Sequence, residues 1–106
     1  MSISDPVIEE FLRQIGPVRN RVRKLILFGS RARGDDRPYS DYDILVVLDE
    51  KDRATVDPLY EATMQVLYKT YRLISLKIYR TADFERFIAI PTPFMTNVLR
   101  DGVPLG

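Results

Sequence analysis

The sequence contains no cysteine and no histidine among its 106 residues. Without cysteine there can be no disulfide framework and no thiolate nucleophile, and without either residue there can be no zinc site of the usual Cys/His type. The absence of histidine also excludes a histidine general base and the Ser-His-Asp triad. Any metal ion must therefore be held by oxygen ligands, which favours Mg²⁺, Mn²⁺ or Ca²⁺.

The sequence also lacks long apolar runs and a large net charge. Its apolar runs reach only four to five residues, far fewer than a membrane span needs. The N-terminus has no basic segment followed by an apolar stretch, so it does not resemble a secretory signal. Sixteen basic residues are balanced by fifteen acidic ones, which implies no extended nucleic-acid surface. We therefore expect a cytoplasmic protein whose partners are neither a membrane nor a nucleic acid.

The length and the apolar pattern favour one α/β (α+β) domain over residues 1–106. The order of predicted elements is helix, strand, loop, strand, helix, strand, helix, helix. This order is typical of a small mixed sheet of about three strands flanked by helices. Small domains with apolar terminal helices often form dimers, so a homo-oligomer is a further alternative.

Apolar runs and turn residues place the individual elements. Strands are predicted over residues 25–28, 42–48 and 73–79. Ser4-Asp5-Pro6 predicts the start of the first helix, which Gly16-Pro17 ends. Later helices are predicted over about 53–71, 82–87 and 94–100, with Asp57-Pro58 as an alternative start for the first of these.

Residues 28–43, FGSRARGDDRPYSDYD, carry the first candidate functional residues. Gly29 and Ser30 follow a predicted strand, where glycine permits a positive φ and a close approach of the backbone to a ligand. Backbone N–H groups in such a turn can bind phosphate, and Ser30 adds a hydroxyl group. Arg31 and Arg33 follow directly and could attract a triphosphate. These four residues are the candidates for a phosphate-binding turn.

Asp41 and Asp43 lie two residues apart at the head of the second predicted strand. Alternation along a strand places both carboxylates on the same face of the sheet. Because two carboxylates this close repel each other, we predict that they hold Mg²⁺ or Mn²⁺ between them. Gly-Ser followed after ten residues by Asp-x-Asp would occur by chance in on the order of one in a thousand chains of this length. The combination is therefore more specific than either part.

This combination resembles the signature of the minimal nucleotidyltransferases in the polymerase-β-like superfamily. The similarity covers LFGSRARG and SDYDILVVL and, less specifically, VLRDGVPL at residues 98–105. It implies the polymerase-β-like nucleotidyltransferase fold and an enzyme that transfers a nucleoside monophosphate, in the first place AMP, from a nucleoside triphosphate such as ATP to a hydroxyl group. It also implies that Gly29 and Ser30 hold the β- and γ-phosphates, and that Asp41 and Asp43 are catalytic and bind magnesium.

The same resemblance implies a partner. Members of this family are paired with a small helical protein of the HEPN type in toxin–antitoxin systems. The nucleotidyltransferase of such a pair modifies a tyrosine of its partner and silences it. We therefore expect an antitoxin whose acceptor is a tyrosine of a HEPN-type protein.

The chain departs from this family at a third carboxylate. Active members carry it on a neighbouring strand, and the third predicted strand here has none on the expected face. Ser75 or Lys77 occupies the position instead. The ammonium group of Lys77 could replace a second metal ion, giving a one-metal or weakened site; alternatively, Lys77 points to solvent at the sheet margin. The departure also leaves open an antitoxin that acts by contact alone, or a sensor that binds a triphosphate without transfer.

Overall fold

A mixed sheet of four strands forms the centre of the fold. The computed structural model describes residues 5–38 and 40–106. The strands are β1 (Val22–Phe28), β2 (Tyr42–Leu48), β3 (Ile74–Arg80) and the short β4 (Val103–Pro104). Their order is β3-β2-β1-β4, in which β2 and β3 are parallel while β1 is antiparallel to both of its neighbours. The predicted mixed sheet is confirmed, and β4 is an additional strand.

Helices connect and cover these strands. Within the described residues they are α1 (Pro6–Gln14), a 3₁₀ helix (Gly16–Arg21), α2 (Ser30–Arg33), α3 (Arg53–Thr70), α4 (Thr81–Ile88) and α5 (Pro93–Asp101). The four longer helices correspond to the predicted ones. The single turn α2 lies where only a loop was predicted, and the 3₁₀ helix follows the predicted end of α1. No helix in the described part of the chain is long and apolar enough to cross a bilayer.

The start of α3 decides between two interpretations of the sequence. The helix begins at Arg53, after Asp52, whose carboxylate accepts a hydrogen bond from the backbone N–H of Thr55 at 3.1 Å. The alternative start at Asp57-Pro58 is wrong, because Pro58 lies inside the helix. Proline has no N–H group, so the helix gives up one internal hydrogen bond there.

Helices pack on both faces of the sheet. On one face, the buried side chains from the sheet and from α1 and α3 include Phe11, Ile44, Val46, Leu59 and Val66. On the other face, those from the sheet and from α4 and α5 include Leu45, Val47, Phe84, Met95 and Val98. Alternation along β2 explains this division, because even-numbered residues face α1 and α3 and odd-numbered residues face α4 and α5. Asp43 therefore belongs to the face covered by α4 and α5.

Asp5 joins the start of α1 to the start of β2. One carboxylate oxygen accepts a hydrogen bond from the backbone N–H of Val7 at 2.8 Å, and the other accepts one from the hydroxyl of Tyr42 at 2.9 Å. Burial, together with this hydrogen bond, raises the pKa of Tyr42 to about 12. The predicted helix start at Asp5-Pro6 is confirmed, while Ser4 lies outside the described residues.

Removing the Asp5 carboxylate is expected to cost more stability than removing an ordinary helix cap. We expect Asp5→Ala to lower the free energy of unfolding by about 2 kcal/mol, because it loses both the cap and the hydrogen bond from Tyr42. The matched control is Asp52→Ala, which removes the cap of α3 alone and should cost about 1 kcal/mol. Urea unfolding measures both losses. Equal losses would contradict the second role of Asp5.

Candidate functional site

The end of β1 meets the start of β2 because the two strands pair in an antiparallel register. Phe28 lies opposite Asp43, so the turn that begins at Gly29 lies beside that carboxylate. Gly29 has φ of 75° and ψ of −158°, a combination that is essentially restricted to glycine. A Cβ atom on Gly29 would lie 2.5 Å from Oδ2 of Asp43. The turn and the carboxylate are therefore packed so closely that only glycine fits.

The chain continues from Gly29 directly into α2. The backbone N–H groups of Ala32 and Arg33 both donate to the carbonyl of Gly29, each at 3.1 Å. Ser30 and Arg31 are the first two residues of α2. The first backbone N–H groups of a helix have no hydrogen-bond acceptor within that helix. Ser30 itself is half-buried. The predicted phosphate-binding turn thus has a defined backbone beside Asp43, and its binding of phosphate stays a prediction.

Asp41 and Asp43 differ in their surroundings. Asp41 is exposed and Asp43 is half-buried. Burial and the negative charge of Asp41 raise the pKa of Asp43, and the positive charges of Lys77 and Arg33 oppose this increase only in part. The structure therefore brings both predicted carboxylates together with two cations. A divalent ion between the carboxylates would relieve their repulsion.

The parallel pairing of β2 and β3 defines the neighbours of Asp43. Ser75 lies opposite Asp43, and Lys77 lies opposite Leu45 on the same face of the sheet. Ser75 thus stands beside Asp43, and it is one of the two positions, with Lys77, where a third carboxylate was expected. Lys77 is exposed, yet its charge lowers the pKa of Asp43, so the side chain is part of the electrostatic environment of the site.

These donors fit one divalent ion more readily than two. Among residues 5–38 and 40–106, no group of three acidic side chains is placed to hold a metal ion. Asp41 and Asp43 supply carboxylate oxygens, which are ligands that Mg²⁺ and Mn²⁺ accept. A second ion would require a further acidic ligand. Ser75 offers only a neutral hydroxyl at the nearest position.

The two predicted arginines lie in different environments. The guanidinium of Arg31 lies 4.3 Å from the ring centroid of Tyr42, which belongs to the core under α1 and α3. It also pairs with Asp36 at 3.0 Å and donates to the carbonyl of Ser40 at 3.0 Å. Because its side chain is only 14% exposed, Arg31 holds the loop before β2, and these contacts give no support to the prediction that it binds phosphate.

Arg33, in contrast, remains near the carboxylates. It is exposed, it pairs with Asp35 at 3.2 Å, and its charge lowers the pKa of Asp43. Arg31 and Arg33 diverge because side chains two residues apart on a helix do not face the same way. Arg33 is therefore the one of the two predicted arginines whose charge acts on Asp43, and its contact with a triphosphate stays a prediction.

A cleft of about 200 Å³ adjoins the turn. It is lined by Phe28, Gly29, Arg33, Phe94, Asn97 and Val98. The last three belong to α5, for which the sequence predicted only a helix. No local sequence signal distinguishes Phe94 from a core residue or Asn97 from an exposed polar residue. Their position beside Gly29 follows from the packing of α5 against the end of β1.

Comparison with known proteins identifies the family. A family model described as "Polymerase beta, Nucleotidyltransferase" matches residues 10–105. The chain therefore belongs to the polymerase beta nucleotidyltransferase family. The predicted fold and the predicted class of enzyme, a nucleotidyltransferase, are confirmed.

Individual relatives agree with this assignment. A "Putative protein adenylyltransferase" of Methanocaldococcus jannaschii is 33% identical over 99 residues, which cover 92% of this chain and 93% of the relative. A chain from a crystal structure of a toxin–antitoxin with AMP-PNP superimposes with a TM-score of 0.62 at 17% identity, covering 93% of this chain and 72% of that one.

A second solved structure has the same fold. A chain from the complex of a tri-AMPylated Shewanella oneidensis HEPN toxin with an MNT antitoxin gives a TM-score of 0.53 at 14% identity. The superposition covers 94% of this chain and 69% of that one. At these identities, the structural likeness shows the fold. The predicted resemblance to polymerase-β-like nucleotidyltransferases is confirmed by the family model and the archaeal relative.

Proposed function

We propose that this protein transfers AMP from ATP to a hydroxyl group of a partner protein, in a reaction that requires Mg²⁺ or Mn²⁺. The observation that carries the proposal is the close packing of Gly29 against Asp43, which sets the turn beside the carboxylate pair. The name of the archaeal relative, a protein adenylyltransferase, supports both AMP and a protein acceptor. A magnesium ion on Asp41 and Asp43 would neutralise charge on the α-phosphate.

The side chains and backbone of the site position the reactants. The turn at Gly29 and Ser30 holds the β- and γ-phosphates, and Arg33 adds positive charge next to them. The acceptor hydroxyl approaches the α-phosphorus in line with the leaving group. Its oxygen bonds to phosphorus, the bond to the β-phosphate oxygen breaks, pyrophosphate leaves and the hydroxyl proton is released.

The partner that we propose is a HEPN-type protein, with a tyrosine as the acceptor. One solved structure of the same fold contains a tri-AMPylated HEPN toxin in complex with an MNT antitoxin. The protein described here would then act as an antitoxin by modifying and silencing its partner.

Label transfer tests the proposal. The protein is incubated with Mg²⁺ and ATP labelled on the α-phosphate, with and without the proposed HEPN-type partner. We expect label that remains on the partner after denaturation, and a mass increase of one AMP on a tyrosine peptide. ATP labelled on the γ-phosphate is the control and should leave no label. Failure to label the partner with any of the four common nucleoside triphosphates would show that the transfer proposal is wrong.

The neutral Ser75 beside Asp43 favours a second candidate, an antitoxin that acts by contact alone. An antitoxin that acts by contact alone would inhibit its partner equally in the presence and absence of ATP and Mg²⁺. The partner's activity is therefore measured after mixing with stoichiometric antitoxin under both conditions. Inhibition that requires ATP supports transfer, and inhibition independent of ATP supports the contact mechanism.

A substitution at Ser75 is expected to change the number of metal ions bound. We propose that the wild-type site holds one ion and that Lys77 provides positive charge in place of a second. Ser75→Asp adds a carboxylate opposite Asp43, so it should raise the Mn²⁺ bound with a non-hydrolysable ATP analogue from one to two per protein. Isothermal titration calorimetry measures the stoichiometry. The control is Ser75→Asn, in which the new side chain is similar in size to aspartate but uncharged, and this variant should bind one ion. Two bound ions in the wild type would contradict the proposal.

A further inference from the structure

We propose that Arg31 is a positioning residue, which fixes the backbone on both sides of Asp41 and so sets that carboxylate for the metal ion. The inference rests on the proposed metal site of Asp41 and Asp43, and it gives Arg31 a role other than the predicted contact with phosphate. It is carried by the place of Asp41 outside the sheet, by the contacts of the guanidinium group and by the residues that hold this group in turn.

The fold holds the two carboxylates to different degrees. Asp43 lies inside β2, where it pairs with Phe28 of β1 and with Ser75 of β3. Asp41 precedes the first residue of β2, and the pairing of β2 with β3 begins only at Tyr42. The sheet therefore fixes the backbone of Asp43 from both sides, whereas the position of Asp41 depends on contacts outside the sheet.

Arg31 contacts both residues that flank Asp41. Its Nε and Nη2 atoms donate to the carbonyl oxygen of Ser40, at 3.3 and 3.0 Å. That carbonyl belongs to the planar peptide group that joins Ser40 to Asp41, so the two hydrogen bonds fix the orientation of this peptide. The guanidinium carbon of Arg31 lies 4.3 Å from the ring centroid of Tyr42, the next residue. One side chain therefore holds the chain immediately before and immediately after Asp41.

The guanidinium group of Arg31 is itself held in place. Its Nη1 atom pairs with Oδ2 of Asp36 at 3.0 Å, so each of its three nitrogens has a partner. The ring of Tyr42 is a fixed support, because this residue is buried and its hydroxyl donates to Oδ2 of Asp5 at 2.9 Å. A planar group with these partners is a rigid link, and it differs from an exposed cation that is available to a phosphate.

This link also joins the two parts of the candidate site. Arg31 follows Ser30 in α2, so the side chain that holds Asp41 belongs to the same helical turn as the candidate phosphate-binding backbone. Lysine at position 31 would keep the positive charge but lack the planar fork that reaches Asp36 and the Ser40 carbonyl together. The charge of this position can therefore be tested separately from its geometry.

The test measures the Kd of Mn²⁺ alone, by electron paramagnetic resonance of the free ion, in the wild type and in Arg31→Lys. Loss of a group that orients a metal ligand typically weakens metal binding by at least about tenfold, and we expect this rise in Kd although the charge is kept. The Kd of inorganic tripolyphosphate, measured by calorimetry without a divalent ion, should stay within about twofold. If Arg31→Lys does not fold, Asp36→Asn removes only the ion pair and should raise the Kd of Mn²⁺ about threefold.

The matched control is Arg19→Lys. Arg19 also donates to backbone carbonyls, those of Val22 at 3.3 Å and Gly106 at 2.8 Å. It lies before β1, whereas α2 follows the other end of that strand. This variant loses a comparable set of hydrogen bonds and should keep the wild-type Kd of Mn²⁺.

The outcomes distinguish the role of Arg31 from the metal site itself. Wild-type affinity for Mn²⁺ in Arg31→Lys would overturn the inference, because charge alone would then suffice. Weaker binding of tripolyphosphate with unchanged binding of Mn²⁺ would also overturn it and would return Arg31 to the phosphates. A wild-type Kd of Mn²⁺ no lower than that of Asp41→Asn would instead overturn the proposed metal site, and the inference with it.

Discussion

Replacing Asp41 and Asp43 together by asparagine is expected to reduce nucleotidyl transfer by about ten thousandfold. Each carboxylate is proposed to stabilise developing charge through the metal ion, and the loss of one such electrostatic contact typically costs about 10²–10³ in rate. Asparagine keeps the size of the side chain but removes the negative charge. The measurement is the initial rate of label transfer from α-labelled ATP, and the residual rate should no longer depend on Mg²⁺.

The same substitution should not weaken the fold. Burial and the charge of Asp41 raise the pKa of Asp43, so the folded protein disfavours the ionised form. The stability that Asp43 contributes when protonated is therefore lost as the pH rises through its ordinary range and up to its raised pKa. The double variant should melt at least as high as the wild type at neutral pH, and its melting temperature should fall less between acidic and neutral pH.

Asp49→Asn is the matched control for this experiment. Asp49 follows the other end of β2, where it is exposed and pairs with Arg23 at 2.7 Å. The hydrogen bond from Arg23 lowers the pKa of Asp49, which is the opposite of the effect at Asp43. Transfer by Asp49→Asn should match the wild type. A double Asp41/Asp43 variant that retained a tenth of the wild-type rate would exclude a metal-dependent role for the carboxylate pair.

The main parts of the candidate site were predictable because they depend on local patterns. A buried apolar run before Gly29 and another after Asp43 predicted β1 and β2. Alternation alone then placed Asp41 and Asp43 on one face. The antiparallel pairing of the two strands brings Gly29 to Asp43, and the residues between the two motifs form the connection from β1 to β2.

The remaining features depend on contacts between distant segments. That Ser75 rather than Lys77 lies opposite Asp43 is set by the register of β3 on β2, two strands that are separated in sequence by α3. Different positions for Arg31 and Arg33 require the helical turn α2, which is too short to show periodicity. β4 has two residues, one of them proline, so its pairing with β1 could not be recognised from an apolar pattern.

Substituting Gly29 by alanine is expected to reduce transfer by about 10²–10³ without removing any functional group. The new Cβ would lie 2.5 Å from Oδ2 of Asp43, so the carboxylate or the turn must move. Alanine is also strained at the φ and ψ of Gly29, which should lower the free energy of unfolding by about 1–3 kcal/mol. Label transfer and urea unfolding measure the two effects separately.

Gly34→Ala separates backbone strain from the clash at the site. Gly34 also has a positive φ, 79°, but a Cβ there would meet no atom within 4 Å. This variant should lose about 1 kcal/mol of stability and keep its transfer rate within about twofold. If both glycine variants lost activity equally, the loss would come from strain in the segment that contains α2. Selective loss in Gly29→Ala would instead establish that the position of Asp43 against the turn is what the reaction requires.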